Sequence, residues 1–366
     1  MKMKKTYQYY LGLVGLVSAM MFASCSDDQN QSSEDGLFPI AFSSVASDHD
    51  VAATRASQTL GHDFVVYGYK RAEDGEQLVF NGYTVKYLAE SANTSADNTD
   101  NYYYVHGDQT LKFWDLSASE YHFWGYWAET PGLATISGAQ NNILTISGVT
   151  LRTGEPAPAD KVLFSSLLDR NPVGSGVVCL EFQRPYSKVR IQFYTNDEMD
   201  VADEVNISTI TFSPDPAATS PLVSKIYGQG DVKITYPLTA AACDGKAREN
   251  VSLANLSDPQ DALTFKNVQL THTQGVSTNT AVSAEVSTGK YYYYPLPMGD
   301  RNPAFVMHAF IDGMEKTAVV PAMYMHWKPN HEYTYVFKVS REKIAFSYVL
   351  DAIMPWQAGV SGDTTW

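Results

Sequence analysis

Few residues of this chain have the types and spacings that do chemistry. The eight histidines form no His-x-His or His-Glu-x-x-His pattern, and no Cys-x-x-Cys is present, so the usual zinc frameworks are missing. There is no Gly-x-Ser-x-Gly elbow to carry a nucleophile and no glycine loop to cradle a phosphate. Asp48-His49-Asp50 offers three polar ligands in a linker-like stretch, where solvated charge is the plainer reading. Asp97-Asn98-Thr99-Asp100-Asn101 has oxygens for calcium but lacks the glycine and distal glutamate of an EF-hand loop, and reads as a solvated turn. Trp124/Trp127 and Tyr291-Tyr292-Tyr293-Tyr294 have rings that suit sugar faces; alternatively each strand puts one ring in a core and the next on a half-covered face. The expectation is a non-enzymatic protein with no catalytic residues, no metal and no cofactor.

One thiol stands apart. Lys2, Lys4 and Lys5 lead into an apolar run over residues 11–23, closed by Ala23-Ser24-Cys25. A basic start, a short apolar run and a small-residue site make a secretory signal. The run is too short to span a bilayer, which needs roughly 20 residues. With a cysteine at this one position, the segment resembles a bacterial lipoprotein lipobox, although Phe22 stands where that pattern usually has an aliphatic residue. The resemblance implies removal of residues 1–24 and lipid on Cys25. The following Ser26-Asp27-Asp28-Gln29 is similar to the acidic signal that sends some lipoproteins to the outer face of the outer membrane. An ordinary cleaved signal with an incidental cysteine is the alternative. Of the other two cysteines, Cys179 shares strand parity with Glu181 rather than with the apolar Val178 and Leu180. Pairing between Cys179 and Cys243 is open in an oxidising compartment, and no disulfide is the favoured reading.

The elements that must position these residues are strands. The chain has 366 residues, 44% hydrophobic and 13% aromatic, with 24 tyrosines, which is the composition of a folded, strand-rich protein. Its formal charge is −14. Removing residues 1–24 takes away three lysines and leaves 23 basic against 40 acidic side chains, a charge near −17. Such a surface repels nucleic acid and anionic lipid headgroups.

Residues 25–36 form a polar tether, and 37–42 is the first strand candidate. Arg55 stands alone in the small-residue linker Ala53-Thr54-Arg55-Ala56-Ser57, a place open to trypsin-like cleavage. From residue 63 onward, period-2 segments alternate with Asp/Gly/Asn/Ser clusters, as in Asp63-Phe64-Val65-Val66-Tyr67-Gly68-Tyr69 and Tyr121-His122-Phe123-Trp124-Gly125-Tyr126-Trp127. That pattern predicts an antiparallel all-β protein. Asn171-Pro172-Val173-Gly174-Ser175-Gly176 is the best domain boundary, giving an N-terminal domain over 37–173 and a C-terminal domain over 174–366. In the second half, Ser187-Lys188-Val189-Arg190-Ile191-Gln192-Phe193 should face Val189, Ile191 and Phe193 inward. Later strands are expected at 205–212, 232–236, 263–270, 290–294, 305–311, 333–339 and 344–350.

Taken in order, the lipobox, Arg55 in its linker, the Phe182…Tyr186-Ser187-Lys188-Val189 strand, Pro329-Asn330-His331-Glu332-Tyr333-Thr334-Tyr335, and a last strand ending in Pro355-Trp356 resemble the fimbrillin family of type V pilus lipoproteins. The resemblance implies two transthyretin-like β-sandwich domains in series, and export as an outer-membrane lipoprotein. It also implies cleavage between Arg55 and Ala56, loss of strand 37–42, and filling of the vacated groove by a strand from another subunit. Residues 344–366 would be the donor, with Ile344, Phe346, Tyr348 and Leu350 on one face and Trp356 beyond Pro355. As a donor the segment would contribute little to its own core; the alternative is that 344–350 is the last strand of its own domain. The implied function is a structural or adhesive pilus subunit (stalk, tip or anchor) at the cell surface. Its partners would be other subunits by β-strand addition, and a host protein or glycan. A monomeric, surface-anchored glycan-binding lipoprotein is the competing reading.

Overall fold

The computed structural model describes residues 38–46, 60–87, 102–103, 110, 112–154, 159–173, 176–195, 204–217, 225–238, 249–271, 286–287, 292–298 and 303–353. Among them the chain is all-β, with 23 strands and a single 3-10 turn at Ala322–Tyr324. Strands are numbered in chain order. Among the described residues no helix is long and apolar enough to cross a membrane.

The first sheet runs β1 (Phe42–Ala46), β11 (Val178–Gln183), β9 (Val162–Ser165), β5 (Glu120–Ala128), β2 (Phe64–Ala72), β3 (Gly75–Tyr87), β4 (Tyr102–Tyr103), with β10 (Leu168–Arg170) also on β5. The second is β15 (Asn250–Gln260), β14 (Ile226–Thr235), β7 (Ile143–Thr150), β6 (Ala134–Ser137). The third is β23 (Ile344–Ile353), β22 (His331–Val339), β12 (Lys188–Thr195), β19 (Tyr293–Tyr294), β8 (Arg152–Thr153), with β18 (Val286–Ser287) on β12. The fourth is β16 (Leu263–Phe265), β13 (Glu204–Pro214), β20 (Phe305–Ile311), β21 (Met314–Val320), with β17 (Val268–Thr271) on β13. Among the described strands only β1 on β11 and β12 on β22 pair in parallel.

Three large cores follow from the alternation. On β12, Val189, Ile191 and Phe193 are each fully buried, as their spacing predicts. With Tyr333, Tyr335 and Phe337 of β22 they face Ile207, Phe212, Phe305 and Met307 of the fourth sheet. A second core gathers Phe42, Phe64, Val66, Phe80, Phe123, Leu180 and Phe182 from five strands of the first sheet, which therefore curls around its own interior. Gly68 lies beneath it, where a Cβ would come within 2.8 Å of the Phe80 and Phe123 rings. The other face of that sheet packs on the second sheet through Tyr67, Tyr69 and Trp124 against Leu144, Ile146, Val232 and Ile234. Trp124 is stacked between Tyr67 and Tyr236, with centroids 4.5 and 4.3 Å away. Burial pushes the Tyr67 phenol up to about 12, and Tyr69 and Tyr236 further in the same direction.

The boundary expected at 173/174 does not separate the sheets. β11 belongs to the first sheet, the β14–β15 hairpin of the second half pairs with β7 of the first, and β8 pairs with β19. A breaker-rich run ends a strand; which sheet the next strand joins depends on the face it buries. Val178, Leu180 and Phe182 bury theirs beside Phe64 and Phe123.

Candidate functional site

The N-terminal segment sits in a slot. Ile40, Phe42 and Ser44 alternate inward and are 0, 2 and 2% exposed. One side is a parallel ladder in which Phe42–Ala46 pairs with residues 178–182 of β11, opened by the Val178 N–H donating to the Ala41 carbonyl at 2.8 Å. On the other side the Ile40 N–H donates to the Lys112 carbonyl, and the Trp114 N–H to the Phe38 carbonyl, both at 2.9 Å. The Phe42 ring meets Phe80 edge-on at 5.1 Å and Phe123 at 5.7 Å. The Leu60 N–H donates to Ser44 Oγ at 3.3 Å, so the chain resumes against the strand it follows. β1 ends the sheet. The strand expected at 37–42 begins at Phe42, because Pro39 has no N–H for a ladder and makes only an isolated bridge to Phe113.

The C-terminal strand also lies at an edge. Among the described strands β23 pairs, antiparallel, with β22 alone. The register skips between Val336 and Phe337, so that Phe337 faces Phe346 and Val336 faces Tyr348. Ser347 is thus a bulge, and the single face expected for Ile344, Phe346, Tyr348 and Leu350 is split. Ile344 is 5% exposed, and Phe346 and Val349 pack on the same core, whereas Leu350 is 50% exposed. The segment contributes to its own core, contrary to the expectation for a donor that stands apart from it.

A charged cluster links the strands of the first sheet at their other end. His122 is 1% exposed. Its Nδ1 lies 2.5 Å from Asp169 Oδ1, and its Nε2 lies 3.0 Å from an Arg71 amino group. A guanidinium only donates, so Nε2 accepts and the ring is neutral, with its proton on Nδ1 and donated to Asp169. Arg71 also donates to Glu76 at 2.7 Å and to Glu120 at 2.9 Å. Glu120, His122 and Asp169 each bring a possible metal-ligand atom within 4.8 Å of the others. The Arg71 guanidinium already supplies positive charge in their midst, which marks a structural ion network. No motif signals it, because β2, β3, β5 and β10 each supply a part.

A cleft of about 590 Å³ opens where β2 begins and β3 and β5 end, with His62, Asp63, Thr84, Tyr126, Trp127 and Thr130 among its walls. His62 stacks on Trp127, with centroids 4.5 Å apart and planes 17° from parallel. Asp63 is held by Lys86 Nζ at 2.5 Å and by the Tyr87 N–H at 2.9 Å. Burial raises the Tyr126 pKa, which keeps its phenol a proton donor.

The sequence-level candidates divide accordingly. Cys25, Arg55, Ala56 and Trp356 lie outside the described residues, as do Asp48-His49-Asp50, Asp97-Asn98-Thr99-Asp100-Asn101, Tyr291 and Cys243. Trp124 is fully buried and Tyr293 and Tyr294 are 7 and 1% exposed, so these three are core rings and not a sugar platform; Trp127 alone of its pair reaches a cleft. Cys179 is half-buried. The two motifs around residues 182–189 and 329–335 meet: the Arg184 N–H donates to Asn330 Oδ1 at 3.3 Å, and the Asn330 N–H to the Tyr186 carbonyl at 2.9 Å. Asp160 completes the junction, taking bonds from Arg184 at 3.1 Å and the Tyr186 hydroxyl at 2.7 Å.

No protein-family model and no curated protein matches the chain. Several solved structures overlap with it. A "putative cell adhesion protein" from Bacteroides uniformis is 12% identical, with a TM-score of 0.37 over 89% of this chain and 100% of its own. One of the same description from Parabacteroides distasonis is 9% identical, with a TM-score of 0.40 over 88% of this chain and 98% of its own. A "fimbrial assembly protein" from Parabacteroides distasonis is 11% identical, with a TM-score of 0.37 over 86% of this chain and 99% of its own. The chain is similar to these, and at such scores the overlap carries no argument about its function.

Proposed function

We propose that this protein is a structural or adhesive subunit of a type V-like surface pilus, tethered at the outer membrane through Cys25 and assembled by strand exchange. The observation that supports this most is the seating of β1: an edge strand with buried Ile40 and Phe42, joined to the rest of the chain through the linker that carries Arg55. Cleavage there would release the strand and leave β11 with an open ladder above an apolar trough. An extended strand from another copy satisfies both needs at once, by β-augmentation. In this reading 344–366 is the donor. Because β23 packs on its own core, its transfer is an exchange between two sheets, driven by the empty slot.

Sedimentation of the full chain before and after limited trypsin treatment tests the proposal. Polymers should form only after cleavage. A chain cut between Arg55 and Ala56 that stays monomeric at high concentration would overturn it.

A further inference from the structure

We infer that the cleft at the end of the first sheet is a binding site for the pyranose rings of a neutral polysaccharide, with Trp127 as the stacking platform. Its volume of about 590 Å³ lies within the range of roughly 300–1,000 Å³ usual for small-ligand sites. The platform is on a rigid strand, since β5 is paired on both sides, and rigid elements hold contacts in place. The exposed His62 ring now lies nearly parallel over the indole, in the position a flat ring takes there. Exposed side chains change rotamer quickly, so a ligand ring can displace it.

Three features select a sugar over other occupants. The cleft's walls carry the hydroxyls of Thr84 and Thr130, the phenols of Tyr87 and Tyr126 and the His62 ring, groups that match a polyhydroxylated ligand. The carboxylate in its walls, Asp63, is already paired with Lys86, so the cleft offers no unbalanced charge, and the chain's charge of −14 disfavours acidic glycans. A peptide would need a free strand edge to add its ladder, yet at the cleft Val65 is paired with both Thr84 and Tyr126, Trp127 with Leu163 and Tyr87 with Tyr102.

Affinity electrophoresis of the full chain through gels containing dextran, yeast mannan or xyloglucan tests the inference, with heparin and polygalacturonate as acidic probes. At least one neutral polymer should retard the protein. Trp127→Ala should weaken that retardation about tenfold, as loss of one stacking contact does, and Trp127→Phe should retain part of it. Thermal melts of both variants establish that they are folded; if Trp127→Ala does not fold, Trp127→Phe with Thr130→Ala carries the test and should bind more weakly than the parent. No retardation by any neutral polymer, equal retardation of the folded variants, or preference for the acidic polymers would overturn the inference. The site is complete in a single copy, so these outcomes are independent of whether the chain polymerises.

Discussion

A chain that begins at Ala56 should be folded but measurably loosened. It lacks Ile40 and Phe42, which are 0 and 2% exposed. Burying each such side chain is worth roughly 1.5–3 kcal/mol, so their joint loss is about 3–6 kcal/mol. Against a domain stability of about 5–15 kcal/mol, the remaining core of the first sheet should survive with a reduced margin. For a domain of 150–250 residues each kcal/mol moves the midpoint by about 2–4 °C, which places the expected fall at about 6–24 °C. Differential scanning calorimetry of the two chains measures it. A synthetic peptide of residues 38–46 should restore most of the loss, and the same peptide with Phe42→Ala should not. A midpoint unchanged by the truncation, or restored equally by both peptides, would refute the account of the slot.

Four further outcomes are expected. Cys25→Ala should leave the protein without lipid and largely off the outer membrane; unchanged membrane fractionation and surface labelling would contradict this. Limited trypsin digestion should cut first after Arg55, so that N-terminal sequencing finds Ala56 before any other new start. Deleting 344–366 strips Ile344, Phe346 and Val349 from the core they share with β22, so the melt should fall by several degrees and polymerisation should be lost; an unchanged melt would show that β23 does not hold its own sheet. At high pH the buried tyrosines should ionise only as the chain unfolds. Burial raises the folded pKa of Tyr67, Tyr69, Tyr236, Tyr333 and Tyr335 above the usual value near 10, so their stabilising contribution is complete below pH ~10 and is lost as pH rises above it. The tyrosinate absorbance step should then coincide with loss of the circular dichroism signal, and a smooth titration of all phenols near pH 10 in the folded chain would refute it.

Much of the fold was legible because alternation is written in the sequence. Val189, Ile191 and Phe193 announce the inner face of β12, and β20 reads the same way through Phe305, Met307, Ala309 and Ile311. Its partner β21 has no clean alternation of its own, although Asp312-Gly313 stands between them; both residues have positive φ, 47° and 81°, the signature of a two-residue hairpin turn. β15 is mostly exposed along its length, and only Val251 and Leu253 give it a short apolar period. Pairing was less legible than strand formation. Nothing local indicates that β14 crosses to β7, more than 70 residues away, because that choice depends on the apolar face shared across Trp124, Leu144 and Ile234.

The candidate sites were hidden for the same reason. Antiparallel register sets Val65 beside both Thr84 and Tyr126, so the cleft is assembled from three places in the chain that share no motif. The His122 cluster is built likewise, with Asp169 reaching it only because β10 returns to β5. At β23 the obstacle is different: one unpaired residue, Ser347, exchanges the faces of everything that follows. A period-2 reading assigns Tyr348 and Leu350 to the core, whereas the bulge delivers Val349 instead. The consequence bears on assembly. A donor strand that keeps this bulge would present Ile344, Phe346 and Val349 to a neighbour's trough, and one that loses it would present Ile344, Phe346, Tyr348 and Leu350. The trough lined by Phe80 and Phe123 takes Ile40 and Phe42 at period-2 spacing, the spacing shared by Ile344 and Phe346, so the part of β23 before Ser347 is the part whose geometry matches the slot.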